Sequence, residues 1–229
     1  MTLPLMNYHL KVKEVIEVLF YDEIFCSIQG ESSDSGLPCI FIRLYGCPVG
    51  CSYCDQPQKA DQKKRISVEN IINKVLKFKG VRNICITGGE PLIHKEVLPL
   101  TWELMSMDYK VSIETSGCVP IEDHGYRRSY KYVMDIKCPS SGVAHKNIFE
   151  NLLRLQSNDE VKYVIANRED YEYMKMVLKK YPTSASILVS PMFDKDHKAV
   201  IGKELVDWIL EDRLNVRVQI QLHKILGVL

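Results

Sequence analysis

Apolar residues recur along this chain in two alternating rhythms. Short runs that are apolar throughout, or at every second position, predict strands at residues 18–26, 38–45, 83–87, 110–114, 132–136, 161–166, 187–189 and 216–220. Between them, apolar residues three and four positions apart predict helices. Ser67 is a good N-cap for one that carries Val68, Ile71, Ile72, Val75 and Leu76 on one face. Others follow Gly88-Gly89-Glu90-Pro91 and run to about Met107, pass through Ile148, Leu152 and Leu155, and pass through Tyr171, Met174, Val177 and Leu178 up to Pro182. The last covers residues 200–212 with Ile201, Leu205, Trp208 and Ile209 in register. The charged stretch 59–65 reads as a connection, and the residues after 220 as a short tail.

Strands alternating with helices argue for an α/β fold in which crossover helices cover a parallel sheet. Polar motifs recur just past the strand ends, and parallel α/β sheets bind ligands at that C-terminal edge, in closed barrels and open sheets alike. No repeat, low-complexity tract or long linker divides the chain, and 229 residues suit one domain with a sizeable core. A formal net charge of +1 gives no support for bulk binding to nucleic acid or an anionic membrane. The first residues lack a basic segment followed by an apolar stretch, and no uncharged run approaches a membrane span. A cytosolic protein is expected.

In that reducing setting the eight cysteines do not read as a disulfide framework. Cys26, Cys39, Cys85, Cys118 and Cys138 lie in or beside apolar segments and read as small buried hydrophobes. Cys47, Cys51 and Cys54 differ. They sit at C-x3-C-x2-C spacing in a Gly/Pro-rich turn just after a strand, where their side chains can converge on one metal centre. A structural zinc site wants four protein ligands, and a [4Fe–4S] cluster normally takes four cysteines. Three thiolates with no fourth ligand just downstream would leave one iron open. The plainer alternatives are a knot of buried cysteines or an incomplete zinc site.

This spacing, with Tyr53 just before the last cysteine, resembles the cluster loop of the radical S-adenosylmethionine (SAM) superfamily. The resemblance implies a partial, TIM-like β/α barrel, a [4Fe–4S] cluster on Cys47, Cys51 and Cys54, and SAM chelated to the open iron and split by one electron. It places SAM against Tyr53, Cys54, Asp55, and Gly88-Gly89-Glu90. On residues alone Gly-Gly-Glu is more often a turn, although its glycines let the backbone approach a ligand and Glu90 can accept from an ammonium. Glu114 and Thr115, Asp135-Ile136-Lys137, and Ser190-Pro191-Met192 end later strands and join the expected SAM site. For Asp135 and Lys137 the alternative is a solvated ion pair at the sheet rim.

Ser27-Ile28-Gln29-Gly30-Glu31, Arg43, Thr87 and the C-terminal Gln219-Ile220-Gln221-Leu222-His223-Lys224 narrow the match. From about residue 20 onward the chain resembles the 7-carboxy-7-deazaguanine synthases, with residues 1–19 outside the likeness. The resemblance implies contraction of 6-carboxy-5,6,7,8-tetrahydropterin to 7-carboxy-7-deazaguanine with loss of ammonia, SAM being re-formed. The substrate site would be Ile28, Gln29, Gly30, Glu31, Arg43, Thr87 and His223. Gln29 and its backbone neighbours suit a pterin edge, the planar guanidinium of Arg43 suits a carboxylate, and His223 suits a proton relay. Further implications are Mg2+, a flavodoxin- or ferredoxin-type electron donor, a homodimer, and a place in queuosine or related deazapurine synthesis. Two positions depart from the family pattern: Gln56 stands where relatives carry a hydroxyl ligand to Mg2+, and Asp135-Ile136-Lys137 where many carry Ser-Pro-Lys. The rival enzyme reading is a glycyl-radical-enzyme activase, which shares the cysteine spacing; the non-catalytic rival is a zinc-binding or electron-transfer module.

Overall fold

The structure, a computed structural model, describes residues 18–52, 54, 56, 64–122, 130–194, 196 and 198–228. In chain order its elements are β1 (Val18–Ile28), β2 (Pro38–Leu44), β3 (Lys64–Ser67), α1 (Val68–Val75), β4 (Asn83–Gly88), α2 (Val97–Ser106) and β5 (Lys110–Thr115). There follow β6 (Tyr130–Ile136), β7 (Glu160–Ile165), α3 (Arg168–Lys180), β8 (Ser186–Pro191), α4 (Gly202–Glu211), β9 (Arg217–Val218) and α5 (Leu222–Leu226). The strands form one open nine-stranded sheet, in the order β3-β1-β2-β4-β5-β6-β7-β8-β9. β1 runs antiparallel to β2 and β3, and each neighbouring pair from β2 to β9 is parallel. This is the expected partial barrel. No helix of the described residues is long and apolar enough to cross a membrane.

Strand alternation gives the sheet two unlike faces. Ile40, Ile42, Leu44, Ile84, Ile86, Val111, Ile113, Tyr132, Met134, Val161, Tyr163 and Val189 join the main core with the inward residues of α1–α4. The other set faces away from that core. Near the C-terminal strand ends it presents Arg43 beside Thr87, then Glu114, then Asp135 beside Lys162, then Ser190 beside Val164. A polar surface is thus bolted to an apolar one by the two-residue repeat of the strands.

Several elements differ from the sequence expectation, each for a physical reason. The end of the charged stretch 59–65 belongs to β3, because Ile66 is buried and Lys64–Ser67 pairs with Val18–Tyr21. Leu76 is 48% exposed, since α1 ends one residue earlier and Leu76 serves as its C-cap. The helix expected after Gly88-Gly89-Glu90-Pro91, to about Met107, splits into a 3-10 turn, Pro91–Ile93, and α2. Ile148, Leu152 and Leu155 belong to a segment built on a 3-10 helix, Phe149–Arg154, rather than an α-helix. There Asn151 is buried and bonded to Ile121 N and to the carbonyls of Gly117 and Val119, so side-chain bonds hold a compact turn where an α-helical ladder was expected. The tail contains α5. Cys39, Cys85 and Cys138 are buried as expected, whereas Cys26 is exposed and Cys118 half-buried.

Candidate active site

The loop after β2 carries Cys47, Cys51 and Cys54, all free thiols, the first and last exposed and Cys51 half-buried. The loop is gripped from two sides. On the β4 side, Gly89 N donates to Leu44 O at 3.1 Å and Glu90 N to Gly46 O at 2.8 Å. A Cβ on Gly89 would stand 2.1 Å from Gly46 O and 2.8 Å from Cys47 Cβ. One on Gly88 (φ +127°) would stand 2.1 Å from Leu44 O. The close backbone approach expected of these glycines is therefore made to the end of β2 and the start of the cysteine loop, which take the N–H groups of Gly89 and Glu90 respectively. On the β6 side, Ser52 N donates to Ser141 O and Ser52 Oγ to Ser140 O, each at 3.0 Å. Lys146 Nζ donates to Pro48 O and Val49 O, each at 2.7 Å.

Glu90 is fully buried. Its carboxylate accepts from Leu92 N (3.0 Å), Thr115 Oγ1 (2.8 Å), Ser116 N (2.7 Å) and Ser116 Oγ, so its acceptor positions are filled from within the protein. Glu114 and Thr115, adjacent in sequence, face opposite ways. Thr115 turns toward Glu90, while Glu114 accepts from Thr87 Oγ1 at 2.9 Å and Gln29 Nε2 at 3.4 Å on the polar face. Gln29, also buried, accepts from Glu31 N at 3.2 Å.

A chain of alternating charge crosses the same face. Lys162 bonds Glu31 and lies 3.4 Å from Asp135, and Lys137 lies 3.1 Å from the same Asp135 oxygen. Asp135 and Lys137 are mostly buried, so this is not a solvated rim pair. Burial alone would raise the Glu31 pKa, but the Lys162 ammonium and bonds from Lys162 and Gln221 hold it well below the usual carboxylate range. Burial opposes charge on Lys162 and Lys137 too, yet the adjacent carboxylates push both upward. Burial raises the Cys51 thiol, with Lys137 pulling the other way.

The C-terminal segment closes over residues 27–31. Gln221 Nε2 donates to Glu31 and Lys224 Nζ to Gln221 Oε1, Ser32 N donates to Gln219 Oε1 at 2.9 Å, and Leu222 N donates to Gly30 O at 2.9 Å. His223 lies so close to Gly30 that a Cβ there would be 2.0 Å from its Nδ1. Arg43 gives its Nε to Glu23 Oε1 at 2.8 Å and stacks on Phe25, leaving its Nη atoms without a protein partner among the described residues. Ser190 Oγ and Gln219 Nε2 are buried without one. Ile28 ends β1, Ile136 is buried in the core, Pro191 ends β8, and Met192 N bonds Ile165 O. Tyr53 and Asp55 lie outside the described residues; Gln56 is exposed. A cavity of about 210 Å³ lies by the strand starts, lined by Gln29, Asn83, Lys110, Tyr130, Lys131 and Asn158 among others.

The donor chemistry of the loop fits an iron–sulfur cluster: three thiols on an anchored turn, a soft ligand set. Among the described residues no three His, Cys, Asp or Glu side chains stand in metal-holding geometry, while the backbone of the cysteine loop is bonded on both sides.

Residues 41–125 match the model of the Radical SAM superfamily. The chain is 42% identical over 208 residues to the 7-carboxy-7-deazaguanine synthase of Methanospirillum hungatei, covering 90% of this chain and 84% of that protein. It is 37% identical to the one from Koribacter versatilis, over 88% of this chain and 94% of that protein. This chain belongs to the 7-carboxy-7-deazaguanine synthase family. The crystal structure of QueE from Escherichia coli superposes at a TM-score of 0.73 with 25% identity, covering 90% of this chain and 95% of that one. A SAM-bound Streptococcus suis SuiB, 13% identical at a TM-score of 0.51, shares the fold alone.

Within this synthase fold the sequence motifs left out Lys162, Lys146 and the bond from Gln221 to Glu31. Lys162 had a signal: a lysine between Val161 and Tyr163 in an apolar strand must face away from the core. Because Glu31 has its folded pKa lowered from 4.5 to about 2, it contributes stability at neutral pH that is lost as pH falls through that window. Chemical denaturation from pH 7 to 2 should show a steeper loss between about 4.5 and 2 in wild type than in Glu31→Gln. Parallel curves would contradict the buried pair.

Proposed function

We propose that the protein converts 6-carboxy-5,6,7,8-tetrahydropterin to 7-carboxy-7-deazaguanine with loss of ammonia. The observation that carries this reading is the three-thiol loop, anchored between two strand ends and set beside a polar face built from Gln29, Glu31, Arg43, Thr87, Glu114 and His223. A [4Fe–4S] cluster on Cys47, Cys51 and Cys54, together with SAM, supplies the one-electron radical chemistry. The remaining work belongs to the protein. Gln29, with the backbone of Ile28 and Gly30, holds the pterin edge. Arg43, its Nε fixed by Glu23, offers both Nη atoms to the substrate carboxylate as a planar fork. His223 exchanges a proton with the ring through its imidazole.

Asp135, Lys137 and the buried Ser190 Oγ, which has no partner among the described residues, would hold the polar groups of SAM at the strand ends. Glu90 and Thr115 act one layer back, by fixing the strand ends that carry these contacts. The covering C-terminal segment keeps bulk water off the substrate. The same reading takes residues 1–229 as one domain and places it in the cytoplasm as a homodimer served by a flavodoxin- or ferredoxin-type donor. Mg2+, when bound, would be held by the exposed side-chain oxygen of Gln56 or through water. The product enters queuosine or a related deazapurine route. A glycyl-radical-enzyme activase shares the cysteine spacing, but the family membership disfavours it.

Anaerobic incubation with SAM, dithionite and the carboxypterin, read by mass spectrometry, should yield 7-carboxy-7-deazaguanine with SAM undiminished. Accumulation of 5′-deoxyadenosine without that product would contradict the assignment. Arg43→Lys should lower kcat/KM for the carboxypterin by about tenfold or more, the scale of a lost charge-assisted hydrogen bond, while SAM affinity stays as in wild type. Unchanged kcat/KM would make Arg43 purely structural.

A further inference from the structure

We infer that Lys146 is a positioning residue that shapes the cysteine loop and, through its charge, sets how readily the cluster held there accepts an electron; this rests on Cys47, Cys51 and Cys54 being the cluster ligands. Lys146 closes a 3-10 turn, Ala144–Lys146, in the connection from β6 to β7. Its ammonium donates to two consecutive carbonyls, Pro48 O and Val49 O, between the first and second cysteines. Adjacent carbonyl oxygens aimed at one point repel each other unless a cation sits between them. Lys146 supplies that cation, and Val49 itself is only 3% exposed, so the middle of the loop is turned inward.

The turn that carries Lys146 is itself fixed. Lys146 N donates to Val143 O at 2.9 Å, and the next residue, Asn147, bonds both backbone groups of Lys137: Lys137 N to Asn147 Oδ1 at 2.9 Å and Asn147 Nδ2 to Lys137 O at 2.8 Å. The ammonium is therefore held from the end of β6, unlike a lysine that wanders over a surface.

Lys137, which acts on Cys51, is paired with Asp135, whereas among the described residues no carboxylate pairs with Lys146. One-electron reduction adds a negative charge to a cluster already bearing three thiolates. A fixed, partly buried cation on the ligand loop stabilises the reduced form more than the oxidised form and raises the reduction potential.

The test uses the full chain, reconstituted anaerobically with iron and sulfide, as wild type, Lys146→Met, Lys146→Gln and Lys146→Arg. Dithionite delivers one electron per cluster in a titration followed by electron paramagnetic resonance, and a ferrous chelator reads the rate of iron loss. Circular dichroism of the cluster-free proteins confirms that each variant folds. Lys146→Met should titrate at a more negative potential and lose iron about tenfold faster or more, since a hydrogen bond from a charged donor has that worth. Lys146→Gln should show the same negative shift with slower iron loss, because it keeps a donor without the charge. Lys146→Arg should stay near wild type in both. A wild-type potential in Lys146→Met, or a shift in Lys146→Arg as large as in Lys146→Met, would overturn the inference. Wild type that takes up no cluster would overturn it along with the reading of the site, and that result is distinguishable because no variant is needed to see it.

Discussion

Gly88 and Gly89 lie flat against the backbone of Leu44 and Gly46, at a separation no side chain could share. The residue that follows makes the contact permanent. Glu90 gives its N–H to the cysteine loop and its buried carboxylate to Thr115 and Ser116, so one residue ties together the ends of β2, β4 and β5. A cysteine-bearing turn alone would be a loosely held stretch of chain. Here it is laid between two neighbouring strand ends, with Ser140, Ser141 and Lys146 completing the grip from the far side. The backbone that carries the thiols is thus bonded at both flanks.

The polar face extends from this anchor. Glu31, Lys162, Asp135 and Lys137 form a run of alternating charge that begins under the C-terminal segment and ends beside Cys51. Burying four ionised groups is costly unless each has a partner, and each here has one. The arrangement links the side of the sheet that the carboxypterin would occupy to the side that holds the cysteine loop. It also accounts for the two roles of the last residues of the chain: Gln219 and Gln221 brace residues 31 and 32, and His223 packs on Gly30, where only glycine leaves room for the ring.

Much of this was legible in the residues. The strands appear close to where the two-residue repeat places them, because their alternation of Ile, Val and Tyr with polar side chains is a direct image of a sheet with one apolar and one polar face. The three cysteines, the glycine pair and the C-terminal Gln-x-His-Lys were also visible, as compact motifs with chemistry written into their spacing. What escaped was whatever depends on contacts between distant segments. β3 is a strand only because it pairs with β1, and the 3-10 helix Phe149–Arg154 stands where helix spacing was read, because Asn151 bonds back to residues 117–121. Lys162 and Glu31 are 131 positions apart, and neither residue alone announces the other. Glu90 was readable as a ligand contact and turned out to be filled by its own neighbours, since a sequence does not say whether a carboxylate points outward or in.

The central claim is that three thiolates hold a cluster with one iron left for SAM. Iron-57 Mössbauer spectroscopy of the anaerobically reconstituted full chain, recorded before and after adding SAM, tests it most directly. The account predicts one iron of the four with a distinct environment that changes when SAM is added, the other three remaining alike. Four equivalent irons indifferent to SAM would contradict it.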